Sequence, residues 1–225
     1  TSEEDCTAGS VCVREVSGRV KETEGAALVG LKVPLCGRAC FSGPPTEDRG
    51  KFSVRVGEFL DLGEFAVDVN GRPSFGDVYL RMTRSAEEHV ALPVPIALPR
   101  LPDAGPLLPE EVSARDEEVS SGDVTFGIPT GTMFRYGFDD VVLEAKGRML
   151  RAAAVPIAKA PPFAADWLQA DVLAPKGTTT SAPLGVKLAN RSGLGPGTPI
   201  DVVIVDDDYS GSNPTVGRTR VVAHG

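Results

Sequence analysis

Gly50-Lys51-Phe52-Ser53-Val54-Arg55-Val56 sets an apolar side chain at every second position after a glycine. A strand turns successive side chains to opposite faces, so Phe52, Val54 and Val56 share one face and Lys51, Ser53 and Arg55 the other. This is the pattern of a half-buried strand entered through a turn. The same period extends outward. Leu31, Val33 and Leu35 alternate before it; Phe65, Val67 and Val69, then Val78, Leu80 and Met82, alternate after it, bounded by Gly, Pro, Asp or Asn. Val90, Leu92, Val94, Ile96 and Leu98 also alternate, but Pro93, Pro95 and Pro99 interrupt them. Proline has no N–H for a ladder, so this run is predicted at an edge or bulge.

Farther on, Val124, Phe126 and Ile128 alternate, as do Leu184, Val186 and Leu188. Residues 141–143 and 150–157 read as further strands, and 161–168 as one short helical turn. Residues 202–205 are continuously apolar, which predicts a strand buried on both faces. Val216 and then Val221-Val222 close the chain.

Composition agrees with an all-β fold. Of 225 residues, 27 are Val against 18 Leu and 5 Ile, and Gly 25 with Pro 19 supply frequent turns. A hydrophobic content of 41% suffices for one or two cores. No apolar run reaches the length of a membrane-spanning helix. The formal net charge of −8 argues against a nucleic-acid partner. That charge is uneven: −4 over the first 92 residues, −4 over residues 93–119, and zero over 120–225. The organisation predicted is two tandem β-sandwiches, residues 1–98 and 121–225, joined by an acidic, Pro-rich linker at 99–120.

All four cysteines, Cys6, Cys12, Cys36 and Cys40, fall in the first 40 residues. Their spacings, C-x5-C and C-x3-C, suit disulfides better than zinc, which favours C-x2-C pairs and nearby His. If residues 13–20 and 31–35 form a hairpin around Gly25, Cys12 falls opposite residues 36–40. A cross-strand bridge from Cys12 and two local loops, Cys6–Cys12 with Cys36–Cys40, therefore both stand. Disulfides imply an oxidising compartment: extracellular, cell surface or periplasm. The chain starts at Thr1 without Met or a hydrophobic leader, so any signal peptide is expected either to have been removed or never to have been included.

Two stretches resemble known modules. Val16-Ser17-Gly18-Arg19-Val20, Gly25, Leu28-Val29-Gly30-Leu31-Lys32-Val33 and Thr46-Glu47-Asp48-Arg49-Gly50-Lys51-Phe52-Ser53-Val54 resemble the carboxypeptidase regulatory-like domain. That resemblance implies a transthyretin-like Greek-key sandwich without a peptidase active site. Val124-Thr125-Phe126-Gly127-Ile128-Pro129-Thr130-Gly131-Thr132, Leu173-Ala174-Pro175-Lys176-Gly177-Thr178, Pro183, Leu188-Ala189-Asn190, Gly193-Leu194-Gly195-Pro196-Gly197-Thr198 and Val216-Gly217 are similar to the ZU5 type of β module. The resemblance implies a second sandwich as found in bacterial surface proteins. Some members of that family self-cleave at a His-Phe/Ser step, which this sequence lacks. Such modules continue past the point where His224-Gly225 stands, so an excised piece of a longer protein and a free-standing subunit of an assembly both stand.

Chemistry is sparse. Hydrolysis by a nucleophile needs a base and an orienter, yet there are only His89 and His224, and no G-x-S-x-G. His89 is read as a surface histidine at a strand entrance. Gly193-Leu194-Gly195-Pro196-Gly197 precedes a strand rather than a helix, so it reads as a turn and not a phosphate cradle. Asp206, Asp208 and Ser210, followed by Gly211, match positions 1, 3, 5 and 6 of a calcium loop. The twelfth position is Gly217, so calcium there needs a further ligand such as Asp139 or Asp140; a plain acidic hairpin loop is the other reading. Phe134, Tyr136 and Phe138 share one face, and Trp167 lies beside a Pro-Pro-Phe run. Core positions are the plain reading for all four, and an aromatic glycan-binding surface the sharper one.

The function predicted is a non-catalytic, exported structural or binding module of a bacterial surface or envelope assembly, working through protein–protein contacts. No cofactor is expected beyond structural calcium. The alternative is a glycan-binding accessory module of a secreted enzyme.

Overall fold

The computed structural model describes residues 13–36, 40–56, 65–71, 73–82, 88–112, 114–137, 142, 147–159, 166–206 and 218–225. The fold is all-β, with several sheets and no helix longer than one turn among the described residues. The strands are β1 (Glu15–Glu22), β2 (Pro34–Cys36), β3 (Cys40–Ser42), β4 (Lys51–Arg55), β5 (Phe65–Val69), β6 (Val78–Met82), β7 (His89–Ala91) and β8 (Ile96–Leu98). They continue with β9 (Glu117–Ser121), β10 (Val124–Ile128), β11 (Phe134–Arg135), β12 (Arg151–Val155), β13 (Ala170–Ala174), β14 (Thr179–Thr180), β15 (Gly185–Leu188), β16 (Asp201–Val205) and β17 (Thr219–His224).

The chain forms two compact units, and neither is a continuous stretch. The first comprises residues 1–70, 78–98 and 195–225; the second comprises 71–77 and 99–194. In the first unit β1 is central. It pairs antiparallel with β4 along one edge and parallel with β7 and then β8 along the other. The Pro93–Pro95 interruption thus splits one alternating run into two short strands beside β1, leaving Val94 exposed between them. A second sheet runs β3-β2-β5-β6, and β16 and β17 form a separate antiparallel pair. Val16, Val20, Phe52 and Val54 of one sheet are buried, as are Leu35, Val67 and Val69 of the other.

Two sequence expectations change here. The strands around Gly25 do not make a hairpin: β1 and β2 lie in different sheets, and the chain turns instead through Gly25 N–H to Glu22 C=O, 2.8 Å. Strand β16 is not buried on both faces: Ile204 is exposed.

The turn before β4 is built from its side chains. Thr46 is buried; its hydroxyl donates to Leu28 C=O (2.7 Å) and accepts from Leu31 N–H (3.0 Å). Gly50, at φ +68, closes that turn and packs where a Cβ would sit 2.0 Å from the Val20 carbonyl oxygen. That oxygen accepts from Leu28 N–H, 3.1 Å. A side chain at residue 50 would break this junction.

In the second unit β10 is flanked by β9 and β15, while β11 pairs β14 and β12 pairs β13. Its interior gathers Leu108, Val112, Ile128, Phe134 and Leu150, with Val119, Phe126, Tyr136 and Leu184 against them. Residues 99–120, expected as a solvated linker, therefore pack: Leu101, Leu108 and Val112 are buried, and β9 joins the β10 sheet. Acidic residues masked this because they face outward while Leu101, Leu108 and Val112 face in. The Pro129-Thr130-Gly131-Thr132 turn has Gly131 at φ +80 and Thr132 N–H on Pro129 C=O (3.2 Å), as a type II turn requires. Asp116 accepts from both Thr130 N–H and the Thr130 hydroxyl, and these bonds hold its carboxyl below the usual range.

Replacing Gly50 by Ala is expected to destabilise the chain by about 2 kcal/mol or more, read as a lower denaturation midpoint. A fragment of residues 121–225 is expected not to fold. Losing Leu101, Leu108 and Val112 removes on the order of 5 kcal/mol of burial, comparable with a whole domain's stability. Far-UV circular dichroism of the fragment beside the full chain checks this.

Candidate functional site

The most connected polar cluster lies on the first unit's sheet around Glu15. In register, Glu15 of β1 stands opposite Arg55 of β4 on one side and His89 of β7 on the other. The Ser53 hydroxyl donates to Glu15 Oε1. His89 Nδ1 lies 3.4 Å from Glu15 Oε2, and Arg55 Nε 4.0 Å from the same oxygen. The Ser53 hydrogen bond, then the charges of Arg55 and His89, hold the Glu15 carboxyl below its ordinary range against the opposing effect of desolvation. Arg14 and Glu88 pair beside it at 3.5 Å.

Order within this cluster decides its chemistry. In a Ser-His-Asp triad the imidazole lies between the hydroxyl and the carboxylate. Here the carboxylate stands between the hydroxyl and the imidazole, so the order is not that of the triad. What the arrangement does is tie three neighbouring strands together across the sheet surface. The other histidine, His224, sets Nδ1 2.6 Å from Asp201 Oδ1 at the open end of β16 and β17. Among the described residues, no three His, Cys, Asp or Glu side chains group to hold a metal ion.

The residues singled out from sequence fall as follows. Cys36 and Cys40 form a disulfide across the end of β2 and β3; Cys6 and Cys12 lie outside the described residues. Asp206 is ion-paired with Arg220 at 3.2 Å. Asp208 and Ser210 lie outside the described residues, as do Asp139 and Asp140. Phe134 is buried in the second unit's core and Tyr136 packs with it, ring centroids 6.2 Å apart. The Tyr136 hydroxyl donates to Leu108 and Pro109 carbonyls at 3.0 and 2.7 Å, and burial pushes the phenol up. These two rings therefore offer no stacking platform to a sugar. Phe138 lies outside the described residues, and Trp167 is half-buried. Residues 193–197 form a turn, with Thr198 N–H and hydroxyl both on Gly195 C=O.

Sequence alternation did not reveal the exposed apolar strands. Every residue of β15 and β17 is exposed, including Val186, Leu188, Val221 and Val222, and Ile204 of β16 joins them. The bulge in the β16–β17 pairing falls between Val202 and Val203. β15 and β9 are the edge strands of the β15-β10-β9 sheet. Also unforeseen are the buried Arg151 and the Lys176–Asp77 ion pair, side chains 16% and 7% exposed, in the second unit. Comparison with protein-family models, with curated proteins and with solved structures finds no match.

The depressed Glu15 carboxyl makes a pH prediction. A group whose folded value lies below its unfolded value stabilises the fold above the unfolded value, and loses that contribution as pH falls through the folded one. The melting-temperature advantage of the wild type over Glu15→Gln is therefore expected near neutrality and should shrink as pH falls below about 4.3, the ordinary glutamate value. An advantage that persists unchanged into acid would refute the assignment.

Proposed function

We propose that this chain is a non-catalytic structural or binding module of an exported surface or envelope assembly, acting through protein–protein contacts. The observation that carries the reading is the set of strands left with apolar side chains in solvent: β15 with Val186 and Leu188, and β17 with Val221 and Val222. Strand edges present unpaired N–H and C=O groups, and apolar side chains beside them supply area for a partner. A soluble chain seldom leaves such strands bare without use. The order of Ser53, Glu15 and His89 differs from a Ser-His-Asp triad, which supports the non-catalytic reading. The Cys36–Cys40 disulfide supports an oxidising compartment. The resemblance to carboxypeptidase regulatory-like and ZU5-like modules belongs to the same proposal. It is supported by the motif residues that form turns, with Thr46, Gly50 and Thr132 buried in them.

A photo-crosslinking residue placed at Val222 or at Val186 is expected to join the chain to a discrete second protein in the envelope or secreted fraction of producing cells. The same residue at exposed Glu24 should not. Absence of adducts from both apolar strands, or retention of the chain in the cytoplasm, would overturn the reading.

A further inference from the structure

The second unit buries an amine beside a carboxyl group. Lys176, in the turn between β13 and β14, sets Nζ 3.2 Å from Asp77 Oδ2, with side chains only 16% and 7% exposed. The other carboxyl oxygen, Oδ1, accepts the Gly71 backbone N–H at 2.8 Å. Both ends of this short segment are sealed. Gly71 and Gly76 are buried, and a Cβ on Gly76 would lie 2.3 Å from Val172 Cγ2, so the segment lies directly on β13. Arg151, itself 2% exposed, donates from a terminal nitrogen to Pro73 C=O at 2.6 Å and fixes the segment from the β12 side.

Two features of this site favour condensation over a lasting ion pair. Burying opposite charges costs desolvation that their attraction does not always repay, and a neutral amide removes both charges. Holding amine and carboxyl in one fixed, water-poor geometry also supplies an effective concentration far above any in solution.

We propose that Lys176 and Asp77 form an intramolecular amide crosslink. Nζ bonds to Asp77 Cγ, the Cγ–Oδ2 bond breaks, and Oδ2 leaves as water with two of the three ammonium protons. One cation and one anion become a neutral amide, so charge and atoms balance with no oxidant or other reactant. The Gly71 N–H stays on Oδ1 and stabilises the negative charge that gathers there as the carbon becomes tetrahedral. The crosslink joins residue 77 to residue 176, closing a long loop and thereby restricting the unfolded chain. It does not rest on the proposed role in an assembly.

Mass spectrometry of the full-length chain tests this. The wild type is expected to weigh one water less than its sequence and disulfide state require, and its protease digest should contain a branched peptide joining the segments around residues 77 and 176. Lys176→Arg, which keeps the positive charge, and Asp77→Ala should each show the full mass and only linear peptides. Asp77→Asn should give the same branched peptide with ammonia as the leaving group. A wild-type chain that keeps its full mass and gives only linear peptides after prolonged incubation at physiological temperature would overturn the proposal, whatever the variants do.

Discussion

Strand β1 can use both of its edges because residue 50 has no side chain. At the end of β1 the Val20 carbonyl oxygen takes the Leu28 N–H, and Gly50 packs so close that a Cβ would lie 2.0 Å from the same oxygen. The buried Thr46 hydroxyl then binds Leu28 and Leu31 to the turn that Gly50 closes. From that junction the chain leaves in two directions: into β4, which lies antiparallel on β1, and toward β2, which belongs to the other sheet. A side chain at this one point would force apart the turn, the crossing segment and the central strand together.

The second unit depends on a comparable economy. Its strands are short, and its interior is completed by residues that precede them, Leu108 and Val112, and by the excursion of residues 71–77. Backbone groups that short strands leave unpaired are met by side chains: Asp116 accepts from Thr130 N–H, and the Thr132 hydroxyl and Arg191 guanidinium donate to the Pro129 and Ala170 carbonyls. Hydrogen bonds that Arg191 donates to Asp171 and Asp123 hold its guanidinium above its already high range. Such contacts are individually modest, but they set which strand ends meet.

The polar cluster on the first unit's sheet links neighbouring strands. Glu15 of β1 gathers a hydroxyl and a guanidinium from β4 and an imidazole from β7. The surfaces that stand out are apolar strands, and they lie where a periodic sequence reads as core. Val186 and Leu188 alternate as buried residues do, but β15 is an edge strand and its alternating side chains meet solvent. Alternation reports that a strand has two faces; it does not report whether anything lies on the second.

By itself the sequence determined the class of fold and most strand positions. Alternation around Phe52, Val54 and Val56, glycine at the turns, and paired prolines at 93 and 95 each act locally, within a few residues. For Phe134 and Tyr136 it left core and binding surface both open. Tertiary structure alone decided the rest, because those features join residues far apart in the chain. The placement of β1 and β2 in separate sheets, the return of residues 195–225 to the first unit, and the burial of Asp77 beside Lys176 depend on which distant surfaces meet. No local period carries that information, since the same side chain is core or surface according to what packs on it.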